Sequence, residues 1–153
     1  MSLQTLAALR KIAVLALAAA PLVGLASHPS AAEAQDLSVT GTWRIEALAA
    51  PGGALVDVDQ GLSSRTEVTI DRHGMWLASA GCNRLRGTLQ QMGHALSVST
   101  RVMATEMACE GPSGDLERRF LHFFPVVKQI DGMPGRVLLR DQSGAAVLLL
   151  VNK

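Results

Sequence analysis

The sequence predicts an α+β domain in which an antiparallel sheet curls toward a small barrel and one amphipathic helix packs on it. Three observations carry that prediction. Apolar and polar residues alternate in several short runs separated by turn residues, the period-two signature of half-buried strands. A single segment, containing Leu116, Phe120 and Phe124 with Phe123 alongside, repeats instead at four-residue spacing, as one apolar helix face requires. There is no internal repeat of fixed period and no low-complexity tract, which leaves one layered domain rather than a solenoid or an array.

The N-terminal 34 residues stand apart from that pattern. Arg10 and Lys11 precede an uncharged Ala/Leu-rich stretch from Ile12 to Ser27, and small residues follow up to Ala32-Glu33-Ala34. This order of basic, apolar and A-x-A segments is that of a secretory signal peptide, with cleavage expected after Ala34. Pro21 and Gly24 interrupt the apolar stretch, which falls short of the roughly 20 continuous residues a membrane-spanning helix needs. No cysteine lies near the cleavage site to accept a lipid, so the mature chain is expected to be periplasmic or secreted and not a lipoprotein. Processing would leave about 120 residues, the size of one domain, with no second domain and no membrane span.

The strands follow in order. Residues 35–40 read as a short, polar, flexible lead-in. Gly41 to Leu48 alternates, with Trp43, Ile45 and Ala47 on one face and Arg44 and Glu46 on the other. Ala50 to Ser64 holds Pro51-Gly52-Gly53 and reads as a surface connection with room for one short strand near Leu55 to Val58. Val68 and Ile70 begin a hairpin that turns at Asp71-Arg72-His73-Gly74 into Met75 to Ala78. The next strand carries Leu85, Gly87 and Leu89 on one side and Arg84, Arg86 and Thr88 on the other. After the turn Met92-Gly93-His94, Leu96 and Val98 open a strand expected to run on toward Cys109. The helix is expected to take its N-cap oxygen from Ser113 or Asp115, to place Asp115 and Glu117 at the positive end of its dipole, and to stop at Pro125. Val137 to Arg140 and Ala145 to Val151 close the chain as a hairpin through Asp141-Gln142-Ser143-Gly144.

Few residues invite chemistry. Cys82 and Cys109 are the only cysteines, both lie beside turns, and export would deliver them to an oxidising compartment, so a disulfide is expected. The sharper alternative makes Cys82 a nucleophile or a metal ligand with His73, His94 or His122, but no spacing of ligand pairs supports it. Carboxylates are scattered singly, and no nucleophile elbow, phosphate loop or H-E-x-x-H helix occurs, so neither an enzyme nor a metal or other cofactor is expected. The chain has 14 basic and 13 acidic residues, of which the leader holds two and one, leaving 12 of each. That balance, with only 3% aromatic residues, excludes an electrostatic footprint for nucleic acid. Arg84 and Arg86, beside Asn83, form a candidate patch for an anion or a partner; the plainer reading is a solvated face, with Asn83 fixing a turn.

The order of residues resembles one known family. Trp43 in the first strand, Gly81-Cys82-Asn83-Arg84 followed by Gly87, Thr105-Glu106-Met107-Ala108-Cys109, Glu117 and Phe120, and a closing Leu138-Leu139-Arg140-Asp141 with Gly144 are similar to the META domain family, also called HslJ-like. The resemblance spans about Gly41 to Val151. Leu89 stands where many members carry an aromatic residue, and the lipoprotein anchor of several members is missing. The resemblance implies a compact extracytoplasmic domain linked to heat or envelope stress and, in some members, to antibiotic tolerance, motility or secretion. It implies structural roles for Cys82 and Cys109 and no catalytic site. The resulting expectation is a monomeric, non-catalytic domain that binds an envelope protein or other macromolecule. A small inhibitor of an extracellular hydrolase is the alternative, followed by a Cys82-dependent enzyme or metalloprotein.

Overall fold

A computed structural model describes residues 37–153; the signal-peptide segment and the first two lead-in residues lie outside the described residues. Ten strands form one antiparallel sheet: β1 (Gly41–Ala49), β2 (Leu55–Asp57), β3 (Glu67–Ile70), β4 (Met75–Ser79), β5 (Arg84–Met92), β6 (Ala95–Val98), β7 (Met103–Ala104), β8 (Gln129–Met133), β9 (Arg136–Arg140) and β10 (Ala146–Asn152). Pairing runs β1-β3-β4-β5-β6-β8-β9-β10 and returns from β10 to β1, so the curled sheet closes into a ring, with β2 and β7 as short flanking strands on β1 and β5. Closure removes the free edges an open sheet would expose.

The alternation read from the sequence fixes which side chains face inward. Trp43, Ile45, Val68, Ile70, Trp76, Ala78, Leu85 and Leu89 are buried, while Arg84, Arg86 and Thr88 are exposed. One departure is at β1, where the register shifts between Ile45 and Ala47 and leaves Ala47, Leu48 and Ala49 all buried. At this bulge Ile45 has no strand partner on the edge away from β10. The Thr66 hydroxyl accepts from the Ile45 amide at 2.8 Å and the Ser63 hydroxyl donates to its carbonyl at 2.6 Å. Ser63 ends and Thr66 follows a one-turn helix, α1 (Gln60–Ser63), capped by Asp59, that lies in the stretch read as a surface connection. Their burial satisfies backbone groups that the bulge would otherwise leave unpaired.

Sequence periodicity missed β8, because Asp131 and Gly132 break the alternation and Ile130 is its only buried residue. Its join to β6 is correspondingly slight, with one residue pair, Ala95 and Gln129, and two flanking amide bonds at 2.9 Å. The strand expected to run from Leu96 toward Cys109 instead ends at Val98; only Met103 and Ala104 pair again, against Arg86 and Leu85. The described part of the lead-in is docked rather than loose. Gln91 bridges the Leu37 carbonyl and the Val39 amide, Val39 is buried, and its carbonyl accepts from the Trp43 indole at 2.8 Å. The β9–β10 turn is held by Asp141, whose carboxyl lies below the usual carboxylate range because the Ser143 hydroxyl, foremost, and neighbouring amides donate to it.

The helix α2 (Gly111–Phe123) packs its stripe of Leu116, Phe120 and Phe124 into the core. It begins earlier than the Ser113 or Asp115 cap predicts. Glu110 occupies the N-cap without a side-chain bond, and Gly111, at positive φ, with Pro112 sets the first turn. The expected stop holds, since Pro125 lies in a short 3-10 turn, Phe124–Val126, directly after the helix. Phe120 and Phe124 stack at 4.8 Å, and both meet the fully buried Trp76 edge-on, at 6.2 and 5.1 Å. Arg119, its pKa lowered by burial, donates to the carbonyls of Leu48 and Ala49 and ties the helix to the end of β1.

Gly87 is the counterpart of Trp76. A Cβ there would sit 2.6 Å from the indole ring. Gly87→Ala is therefore expected to cost about 2 kcal/mol through overpacking. The checking measurement is the urea midpoint in wild-type and Trp76→Phe backgrounds, where the smaller ring should absorb most of the penalty.

Candidate functional site

The residues singled out from the sequence gather around the β4–β5 turn, where they divide into an internal knot and an external face. Cys82 and Cys109 form a disulfide that joins the start of β5 to the residue preceding the helix cap. Beside it, the Asn83 side chain behaves as a strand partner for a segment that has none. Its Oδ1 accepts from the Met107 amide and the Thr105 hydroxyl, each at 2.8 Å, and its Nδ2 donates to the Met107 carbonyl at 3.1 Å. The main-chain donor and acceptor of Met107 fix which way the Asn83 amide points.

Glu117 completes the knot from the helix. It is 6% exposed, and its Oε2 accepts from the amides of Cys82 and Asn83 at 2.9 and 2.7 Å. Its Oε1 accepts from Asn83 Nδ2 at 2.7 Å. Glu117 therefore does not serve the helix dipole, as expected from its position, but satisfies two turn amides that no strand reaches. The approach is close enough that glycine is required on both sides. A Cβ on Gly81 would strike the Ser113 carbonyl and Glu117, and one on Gly114 would strike the Cys109 carbonyl. The sequence signal for Glu117 was an acid in the helix's apolar stripe, three residues before Phe120 and seven before Phe124.

The outer face of the same strands is different in kind. Arg84 and Arg86 project from β5 into solvent, and neither forms an ion pair among the described residues. Arg86 Nε lies 3.1 Å from the Met103 sulfur. Across the sheet, Arg86 is in register with Leu77 on β4 and Met103 on β7, and Arg84 with Ser79. The nearest carboxylate in that row, Glu67, is held by Lys153 at 2.7 Å. Met75, Leu77, Met103 and Met107 are 52%, 55%, 60% and 62% exposed. The outward arginines are legible in the alternation of β5; Met75 and Leu77 are legible in the same way, since they alternate with the inward Trp76 and Ala78, whereas Met103 joins the face only through β7.

No group of three or more His, Cys, Asp or Glu residues is placed to hold a metal ion among the described residues; His73 lies in the β3–β4 turn, His94 in the β5–β6 turn and His122 on α2. No helix among the described residues is long and apolar enough to cross a membrane.

The family model of the META domain matches residues 35–153. The chain belongs to the META domain family. Its match covers the whole ring, the helix and the Asn83–Glu117 knot, so Cys82, Asn83, Cys109 and Glu117, among the motif residues that carried the resemblance, pin the helix to the sheet. A solved structure from Burkholderia xenovorans is similar at 20% identity and a TM-score of 0.58, covering 74% of this META domain chain and 81% of its own. A duf4847 family protein from Bacteroides vulgatus is similar at 12% identity and a TM-score of 0.54, covering 74% and 93%. At these identities the likeness is one of fold. The comparison with curated proteins finds no match.

Proposed function

We propose that this META domain is an exported, non-catalytic binding module that supports the cell envelope under heat or antibiotic stress. It acts by holding a macromolecular partner on the outer face of β4, β5 and β7. The observation that carries this reading is the composition of that face. Arg84 and Arg86 share the outer face with exposed Met75, Leu77 and Met103, and arginine and methionine are enriched at protein interfaces. All five methionines of the described domain are about half exposed or more, whereas the buried core contains none. Methionine is ordinarily a core residue, and its flexible thioether suits contact surfaces that must adapt. The motif residues support the same reading, because Cys82, Asn83 and Glu117 are engaged with one another and with backbone.

A photo-reactive amino acid at Leu77, introduced in cells of the source organism, tests the proposal. Crosslinked adducts are expected in the periplasmic or secreted fraction, increasing under heat or antibiotic stress, and lost in the Arg84→Glu/Arg86→Glu background. The same group at Val56, exposed on β2, should give few. Equal yields at the two positions, or adducts confined to the cytoplasm, would refute it.

A further inference from the structure

The spacing of the two arginines narrows what this face can hold. Arg84 and Arg86 are alternate residues of one strand, so their guanidinium groups leave the same side of the sheet roughly 7 Å apart along it. Carboxylates on alternate residues of any other extended chain share that separation and share a face, whereas adjacent ones point to opposite faces. Arg86 is flanked by Leu77 of β4 on one side and by Met103 of β7 on the other, one inter-strand step away in each direction, while Arg84 lies beside Ser79 of β4. Glu67, in register with Ser79, is held by Lys153, and neither arginine forms an ion pair among the described residues. The strand thus offers two cations without ion pairs among the described residues, one of them, Arg86, set between the apolar side chains of Leu77 and Met103.

We infer that the segment bound here is an extended protein chain carrying acidic residues at alternate positions, laid along β5 with apolar side chains against Leu77 and Met103. This rests on the binding-module reading above and names the chemistry of its partner. Arginine suits the task because its planar fork engages a carboxylate through two parallel hydrogen bonds.

The test uses two short fluorescent peptides of equal composition and charge, one with a central Glu-Val-Glu and the other with Glu-Glu-Val, titrated against the purified protein. The alternating peptide is expected to bind about three- to five-fold more tightly, a difference of the size one exposed Arg–carboxylate contact supplies, since the adjacent pair keeps one glutamate on the bound face. That preference should disappear in Arg84→Ala/Arg86→Ala, whose exposed positions leave the melting temperature unchanged. Anionic vesicles of phosphatidylglycerol, added as competitor, should not displace the peptide. Equal affinity for the two isomers, retention of the preference without the arginines, or displacement by vesicles would overturn the inference. If the isomers bind equally while Leu77 still crosslinks in cells, the acidic-strand assignment alone fails. If Leu77 gives no adducts, the binding-module reading fails as well.

Discussion

Replacing Glu117 by alanine is expected to destabilise the domain by about 3 to 5 kcal/mol, because two turn amides and the Asn83 side chain lose their acceptor together, at about 1 to 3 kcal/mol for each buried group left unpaired. Glu117→Gln separates geometry from hydrogen-bond polarity. A glutamine can still accept from the Cys82 and Asn83 amides through its oxygen, but its NH2 then faces Asn83 Nδ2. Asn83 cannot turn over without opposing both the amide and the carbonyl of Met107. The glutamine variant should therefore lose about 2 kcal/mol rather than recover wild-type stability. Urea unfolding measures both changes, and hydrogen exchange locates them: the amides of Cys82 and Asn83 should lose protection while those of β9 and β10 keep theirs. A change below about 0.5 kcal/mol for the alanine variant would show that the knot is not what fastens the helix.

Removing the disulfide by Cys82→Ala/Cys109→Ala is expected to cost about 3.5 kcal/mol, the chain-entropy value for a loop closed across a sequence separation of 27 residues. The loss acts mainly through the unfolded chain, and the Asn83 and Glu117 bonds still tie the same three segments. The variant should therefore keep the circular dichroism of the native protein and unfold at lower urea. Combined with Glu117→Ala, the two changes should not add. Each weakens the one remaining tie between the β4–β5 turn and the helix, so the triple variant is expected to lose more than the sum and fail to hold residues 105–110 in place. Additive losses, measured in the same titrations, would mean that disulfide and carboxylate act independently.

Much of the inward and outward pattern was legible along the chain. Trp43, Val68, Ile70, Trp76, Leu85 and Leu89 face the core as their alternation requires, and Leu116, Phe120 and Phe124 form the helix stripe. The departures have physical causes. β8 has one buried residue and so leaves almost no period-two signal. The helix starts at Gly111 because Gly111 and Pro112 set its first turn, a local geometry that outweighs the capping preference of Ser113. The strand begun at Leu96 ends at Val98; beyond it only Met103 and Ala104 pair again, and Met107 is held by the Asn83 side chain in place of a strand.

The candidate site was legible only in part. Arg84 and Arg86 were placed outward by the alternation of β5, but Met103 reaches their side through β7, a two-residue pairing no window of sequence announces. The sequence by itself determined the period of each element, the identity of the core face and the family motifs, because these depend on neighbours within a few residues. Only the tertiary structure decided that the sheet closes into a ring and that its four buried polar residues, Ser63, Thr66, Asn83 and Glu117, each bond to backbone that lacks a strand partner. The reason is that a buried amide or carbonyl must be satisfied wherever the ladder breaks, and where it breaks is fixed by residues distant in sequence that meet only when the ring closes.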